Sequence, residues 1–172
     1  MRPILLAVLI SVAASCANNG GAPASGGPSA PSPARVDLVE AGIRAVVSPT
    51  DQTKLLYVRT QLCPGMTENH CAGTLTDQET ATLGDRLVDL SPEVRFVSNY
   101  DAIPEGEAPI DRPGHRYVFV GAPEVKDDGT YWIEAGETCG GVCGHGGTFV
   151  LEDRQGTWTS TGNAPGTGQW VS

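Results

Sequence analysis

The chain has 172 residues, of which 20 are acidic and 11 basic, giving a net charge of −9 at pH 7. A body this acidic, with no basic stripe and interleaved aromatics, is repelled by nucleic acid and by anionic headgroups, so nucleic acid is excluded as a partner. Five cysteines also leave one unpaired in an oxidising compartment.

The chain begins MRPILLAVLISVAASC, with Arg2 followed by an apolar run over residues 4–14 that only Ser11 interrupts. That run is too short for a permanent transmembrane helix and stands where a secretory signal belongs. The stretch AASC resembles the lipobox of bacterial lipoproteins, in which small residues precede an obligatory cysteine. The resemblance implies a signal peptide over 1–15 and an acylated Cys16 as first residue of the mature chain. It also implies membrane attachment through that lipid in the cell envelope, facing outside the cytoplasm. Ordinary signal cleavage near Ala14 is the alternative. Cysteine parity favours lipidation, because removing Cys16 leaves an even set: Cys63, Cys71, Cys139 and Cys143.

Residues 17–34 contain only Ala, Asn, Gly, Pro and Ser. With almost nothing to bury, this stretch cannot offset the entropy of ordering, and 16–34 is expected to be a lipidated cysteine plus a disordered tether. Its root-mean-square reach is roughly 20–25 Å.

Residues 35–172 suit a single domain. A helix is expected over 33–47, with Ser32 as cap, Pro33 in the first turn, and Val36, Val39, Ile43 and Val46 at helical spacing. A strand follows over 55–62, placing Leu56, Val58 and Leu62 on one side. A second helix over 76–90 starts at a capping box, Thr76 with Glu79, and buries Leu83, Leu87 and Leu90. Residues 93–98 read as a second strand, and the acidic, proline-bearing stretch 100–113 as a surface loop. Beyond it lie two hairpins, one turning at 127–129 and one at 154–156, each with a glycine for the left-handed position. The expected fold is α+β: two helices packed on a mainly antiparallel sheet with a C-terminal β-meander. The pattern CGGVCGHGGTFVLEDRQGTWTSTG…QWVS resembles a layout in secreted bacterial proteins of unassigned function, which implies an envelope protein and no particular activity.

Candidate chemistry concentrates in ETCGGVCGHGGTF, residues 137–149. Cys139, Cys143 and His145 resemble the copper-binding arrangement of secreted copper chaperones, and Met66 and His70 would enlarge a soft ligand set if the two cysteine loops met. Against a copper or thiol-redox centre, the gap is three residues rather than two, and strands rather than a helix flank the pair. The spacings also miss those of zinc ribbons and fingers. Two local disulfides, Cys63–Cys71 and Cys139–Cys143, would each restrict the unfolded chain by about 2–2.6 kcal/mol, and a cross pairing by about 4.5 kcal/mol. All three connectivities stay open in the sequence. A clamp on a glycine-dense reversal is the favoured role, and Gly140, Gly141, Gly144, Gly146 and Gly147 permit the turn or form an anion-binding nest.

His115 with Asp111 lacks a partner serine in a nucleophile elbow. The acidic pairs Glu105/Glu107 and Asp127/Asp128 fall in turns and read as solvated surface. Tyr131, Trp132, Trp158 and Trp170 are candidates for a binding face, although Tyr131 and Trp132 point to opposite sides of one strand. The sequence thus favours a non-catalytic envelope lipoprotein domain with a binding or structural role for an unknown protein or small ligand. It implies no cofactor and no metal site. The rival is a copper or thiol-redox protein centred on Cys139, Cys143 and His145.

Overall fold

The structure is a computed structural model and describes residues 33–66, 70–141 and 143–171. These fall within one compact unit, Ser32–Ser172. The expected signal peptide, Cys16, and the tether up to residue 32 lie outside the described residues.

Helix α1 spans Arg35–Val46 and buries Leu38, Val39, Ile43 and Val46. Its N-cap is Ala34, with no side-chain capping bond, so the cap expected from Ser32 falls two residues too early. The helix ends where Val47 turns extended, and Ser48 then caps a single 3-10 turn over Pro49–Asp51. Strand β1, Leu55–Arg59, is buried along its whole length. Helix α2, Asp77–Arg86, opens on the anticipated capping box, with Thr76 and Glu79 each satisfying the other's backbone N–H. It stops short of the expected 90, yet Leu83, Leu87 and Leu90 are all buried. Strand β2 covers Val94–Val97.

After the segment 98–114 come β3 (His115–Val120), β4 (Glu124–Val125), β5 (Tyr131–Thr138), β6 (Gly144–Arg154), β7 (Thr157–Asn163) and β8 (Trp170–Val171). One sheet runs in the order β2-β1-β3-β5-β6-β7, with β4 added to β5 and β8 to β6. The pairs from β3 onward are antiparallel, whereas β1 pairs β2 and β3 in parallel. The β6–β7 turn is tighter than a three-residue loop: Arg154 pairs Thr157, and only Gln155 and Gly156 lie between, both with positive φ.

Parallel neighbours on both sides of β1 have a consequence for the faces of the sheet. The chain passes from β1 to β2 through α2, then returns past β1 to reach β3. Crossovers of one hand in opposite directions must use opposite faces. Accordingly α1 and α2 cover one face, packing on Leu56, Val58, Val118, Val120, Ile133 and Leu151. The segment 98–114 covers the other, where Tyr100, Ile103 and Ala108 pack on Leu55, Tyr57, Tyr117 and Phe119. The stretch 100–113 was expected as surface; its acidic groups are exposed, but Ile103 is 8% exposed and forms part of a second core.

The polar face of α1 is a seam to α2. Arg35 pairs with Glu79, Arg44 with Glu40 and Asp89, and Arg86 with Asp37 and Glu40. Such partly exposed pairs each contribute only about 0–1 kcal/mol, so they orient the helices more than they stabilise them.

Candidate functional site

Strand β5 alternates, and its alternation builds the site. Tyr131, Ile133, Ala135 and Glu137 face the helices, which places Trp132, Glu134 and Gly136 on the opposite side. There the segment 98–114 covers β1 and β3 only, and a concavity of about 620 Å³ lies over β5 and β6. Trp132, Glu134 and Thr148 line its floor; Pro64 and His70 on one side and Ala122 on the other form its walls. Glu134 and Thr148 are direct cross-strand partners. Both are half-buried, and among the described residues neither side chain has a hydrogen-bond or ion-pair partner.

Two features hold the walls. Cys63 and Cys71 are paired as a disulfide with Cα atoms 4.0 Å apart, closing the loop that carries Pro64 and His70. The buried Arg59 donates to the Gly65 carbonyl at 3.3 Å, anchoring the same loop from below. On the other side, Gly121 N–H donates to Glu134 O at 2.7 Å and fixes the turn between β3 and β4. Trp132 also borders the neighbouring hollow of Lys126, whose ammonium stands 4.6 Å from the ring centroid.

The second pair, Cys139–Cys143, is also local, with a Cα separation of 5.4 Å. It clamps a shorter turn than expected. Gly140 and Gly141 have positive φ in that turn, but Gly144, Gly146 and Gly147 belong to β6. The five-glycine loop or anion nest is therefore corrected to a tight reversal followed at once by strand. Of these in-strand glycines, Gly146 serves packing. Gly136 and Gly146 are paired across β5 and β6, and a Cβ on Gly146 would fall 2.6 Å from the Trp170 ring. Trp170 lies in this trough, stacked on Phe119 at 6.0 Å.

Cys139, Cys143 and His145 do line one small hollow, together with Arg116, Glu137 and Asp51. Met66 and His70 are absent from it and line other hollows. In the disulfide neither sulfur is available as a thiolate ligand. Among the described residues no group of three His, Cys, Asp or Glu is placed to hold a metal ion. The hollow's strongest feature is Glu137, 2% exposed, which takes Arg116 Nη1 on both oxygens and has His145 Nδ1 at 3.2 Å.

The remaining candidates separate. His115 starts β3, its Nδ1 2.8 Å from the Glu107 carbonyl, and Tyr57 donates to the Glu107 carboxylate at 2.6 Å. Burial first, and that hydrogen bond second, raise the Tyr57 pKa; the same bond leads in lowering that of Glu107. Glu107 is thus an ordering group rather than plain solvated surface. Asp127 and Asp128 lie in the β4–β5 turn as expected, with Asp128 accepting from Thr130 N–H. Of the aromatics, Tyr131 and Trp158 meet edge to face against the helix-side core, leaving Trp132 in the concavity.

Glu134, Thr148, Arg116 and Glu137 were not singled out by the sequence. The signal for Glu134 and Glu137 was present in TYWIEAGET, where period-two phasing separates Trp132 and Glu134 from Ile133 and Ala135 and drops Glu137 into the buried row. Set against protein-family models, curated proteins and solved structures, the chain matches none. Among the described residues no helix is long and apolar enough to cross a membrane. The two disulfides are compatible with a place outside the cytoplasm.

Proposed function

We propose that this chain is a non-catalytic, extracytoplasmic binding domain, lipid-anchored through Cys16, whose ligand site is the Trp132 concavity. The observation that carries this reading is the Glu134–Thr148 pair beside Trp132. Two half-buried polar side chains without protein partners sit beside an aromatic on a sheet face covered elsewhere. Half-buried polar groups left without a protein partner are completed by solvent or by a ligand, and a few convergent polar groups beside an aromatic in a concavity are the usual make-up of a small-molecule site. Anchoring draws support from cysteine parity: the four described cysteines pair with one another and leave Cys16 over.

A screen of small polar compounds against the full chain in mild detergent tests this reading, followed through the Trp132 indole and Thr148 amide resonances. Saturable shifts confined to these and their neighbours support it. Ligands that shift only the Arg116–Glu137–His145 side would overturn it.

A further inference from the structure

The chemistry of the Trp132 concavity narrows the class of ligand, and this step rests on the binding-domain reading above. We propose that the concavity takes an organic ammonium ion, seated against the Trp132 indole with the Glu134 carboxylate as its counter-charge.

Among the described residues the lining holds two carboxylates, Glu124 and Glu134, and neither lysine nor arginine. Glu124 is already paired with Lys126 at 2.6 Å, whereas the half-buried Glu134 has no partner among the described residues. A neutral ligand covering Glu134 would strip its water without replacing the lost interaction, which is unfavourable for a carboxylate. A cation offsets that loss. The indole supplies the second half of the site, because its electron-rich face attracts an ammonium most strongly when solvent is excluded. The ring already shows this capacity, holding the ammonium of Lys126.

The rest of the lining selects the kind of cation. A bare metal ion needs six or more oxygens, or several nitrogen and sulfur ligands; the lining offers the Glu134 carboxylate, the Thr148 and Thr167 hydroxyls and the His70 imidazole, and among the described residues no three His, Cys, Asp or Glu side chains are grouped to hold one. Pro64, Ala72, Ala122 and Pro123 contribute apolar wall instead, suited to the carbon substituents of an alkylated ammonium. The volume, about 620 Å³, falls in the range of about 300–1,000 Å³ usual for small-molecule sites. The net charge of −9 biases the approach of cations toward the domain.

The test uses the full chain in mild detergent, with choline as probe and 3,3-dimethylbutanol as its uncharged isostere. Binding is read from the Trp132 indole and Thr148 amide resonances. Choline is expected to bind saturably at these signals, with the isostere weaker by about tenfold or more. Glu134→Gln should weaken choline by about tenfold and should not weaken the isostere, whose seating then no longer desolvates a carboxylate. Isostere binding retained in Glu134→Gln shows that the loss of choline affinity is not misfolding. Equal affinity for choline and isostere, or unchanged choline affinity in Glu134→Gln, overturns the ammonium assignment while the site stands. So does maltose binding at Trp132 with choline silent. If no probe shifts Trp132 or Thr148, or choline maps to the opposite face, the ammonium assignment and the binding-site reading both fall.

Discussion

Arg116 and Glu137 meet across β3 and β5 at the point where the helix face of the sheet changes from apolar to charged. Along β5 the inward row runs Ile133, Ala135, Glu137, and along β3 it runs Val120, Val118, Arg116. Beyond Ala135 and Val118 the chain that follows α1 supplies Asp51, with an oxygen 3.8 Å from Arg116 Nη1. Glu137 is nearly inaccessible, with its side chain 3% exposed, while that of Arg116 is 15% exposed. The pair therefore closes the end of the core with charge, and each partner depends on the other. Glu137→Ala should destabilise the domain by about 2–3 kcal/mol, somewhat below a fully buried pair because Arg116 reaches solvent. Replacing both, Arg116→Met with Glu137→Leu, should recover most of that loss. Urea unfolding of the four members of the cycle measures it, and purely additive losses would contradict the coupling.

The Arg35–Glu79 pair gives the domain an acid-side sensitivity. The hydrogen bond from Arg35 leads in holding the Glu79 carboxyl at about 2, below the ordinary 4.5, with the Thr76 N–H and hydroxyl assisting. A depressed folded-state pKa contributes stability that is fully present above about 4.5 and is lost as pH falls toward about 2. Glu79→Gln keeps the capping-box geometry and removes the charge. It should destabilise by about 1 kcal/mol at neutral pH and flatten the stability profile across that acid window. Glu79→Ala, which loses the cap as well, should be worse by a further ~1 kcal/mol. Thermal unfolding followed from neutral to acid pH reads both effects.

Titration under denaturing, non-reducing conditions should find no free thiol among Cys63, Cys71, Cys139 and Cys143. Removing the second bridge with Cys139→Ser/Cys143→Ser should destabilise by about 2 kcal/mol, given the small loop it closes. Removing the first, with Cys63→Ser/Cys71→Ser, should destabilise by slightly more, about 2.6 kcal/mol. It should also weaken ligand binding, because that loop carries Pro64 and His70 at the concavity. Two titratable thiols with stoichiometric copper, lost in His145→Ala, would instead favour the redox-metal reading.

Gly136→Ala should force Trp170 and Phe119 apart, since an added Cβ would overlap both rings. Overpacking of this kind destabilises by about 1–3 kcal/mol, with a change in Trp170 fluorescence expected alongside. Gly168→Ala is the control: nothing lies within 4 Å of its added Cβ, and the effect should be small.

Metabolic labelling with a fatty-acid probe should mark the wild-type chain and leave Cys16→Ser unmarked. Equal labelling of the two would remove the basis for the anchor.

Much of the local structure was legible because it depends on neighbours along the chain. Thr76 and Glu79 predict the start of α2 from a three-residue spacing that the folded backbone satisfies directly. Val39, Ile43 and Val46 mark the buried stripe of α1. The glycines at 129 and 156 place both hairpin turns, each with positive φ. Gly146 misled for a physical reason: local sequence shows that a glycine permits a turn, but not that an indole from a strand over twenty residues later needs the space. Glu134 had the same limitation. Its strand phase was readable, but its lack of a partner depends on which segments cover that face.

By itself the sequence determined the element types, the segregation of helices before meander, the even cysteine set and the acidic charge, all properties of spacing and composition. Only the tertiary structure decided which cysteines pair, that residues 98–114 cover the second face of β1 and β3, and that the cover stops short of Trp132. The reason is topological. With β1 flanked in parallel by β2 and β3, two crossovers of one hand must pass over opposite faces, and the second ends before it reaches β5 and β6. The concavity is what that shorter crossover leaves open.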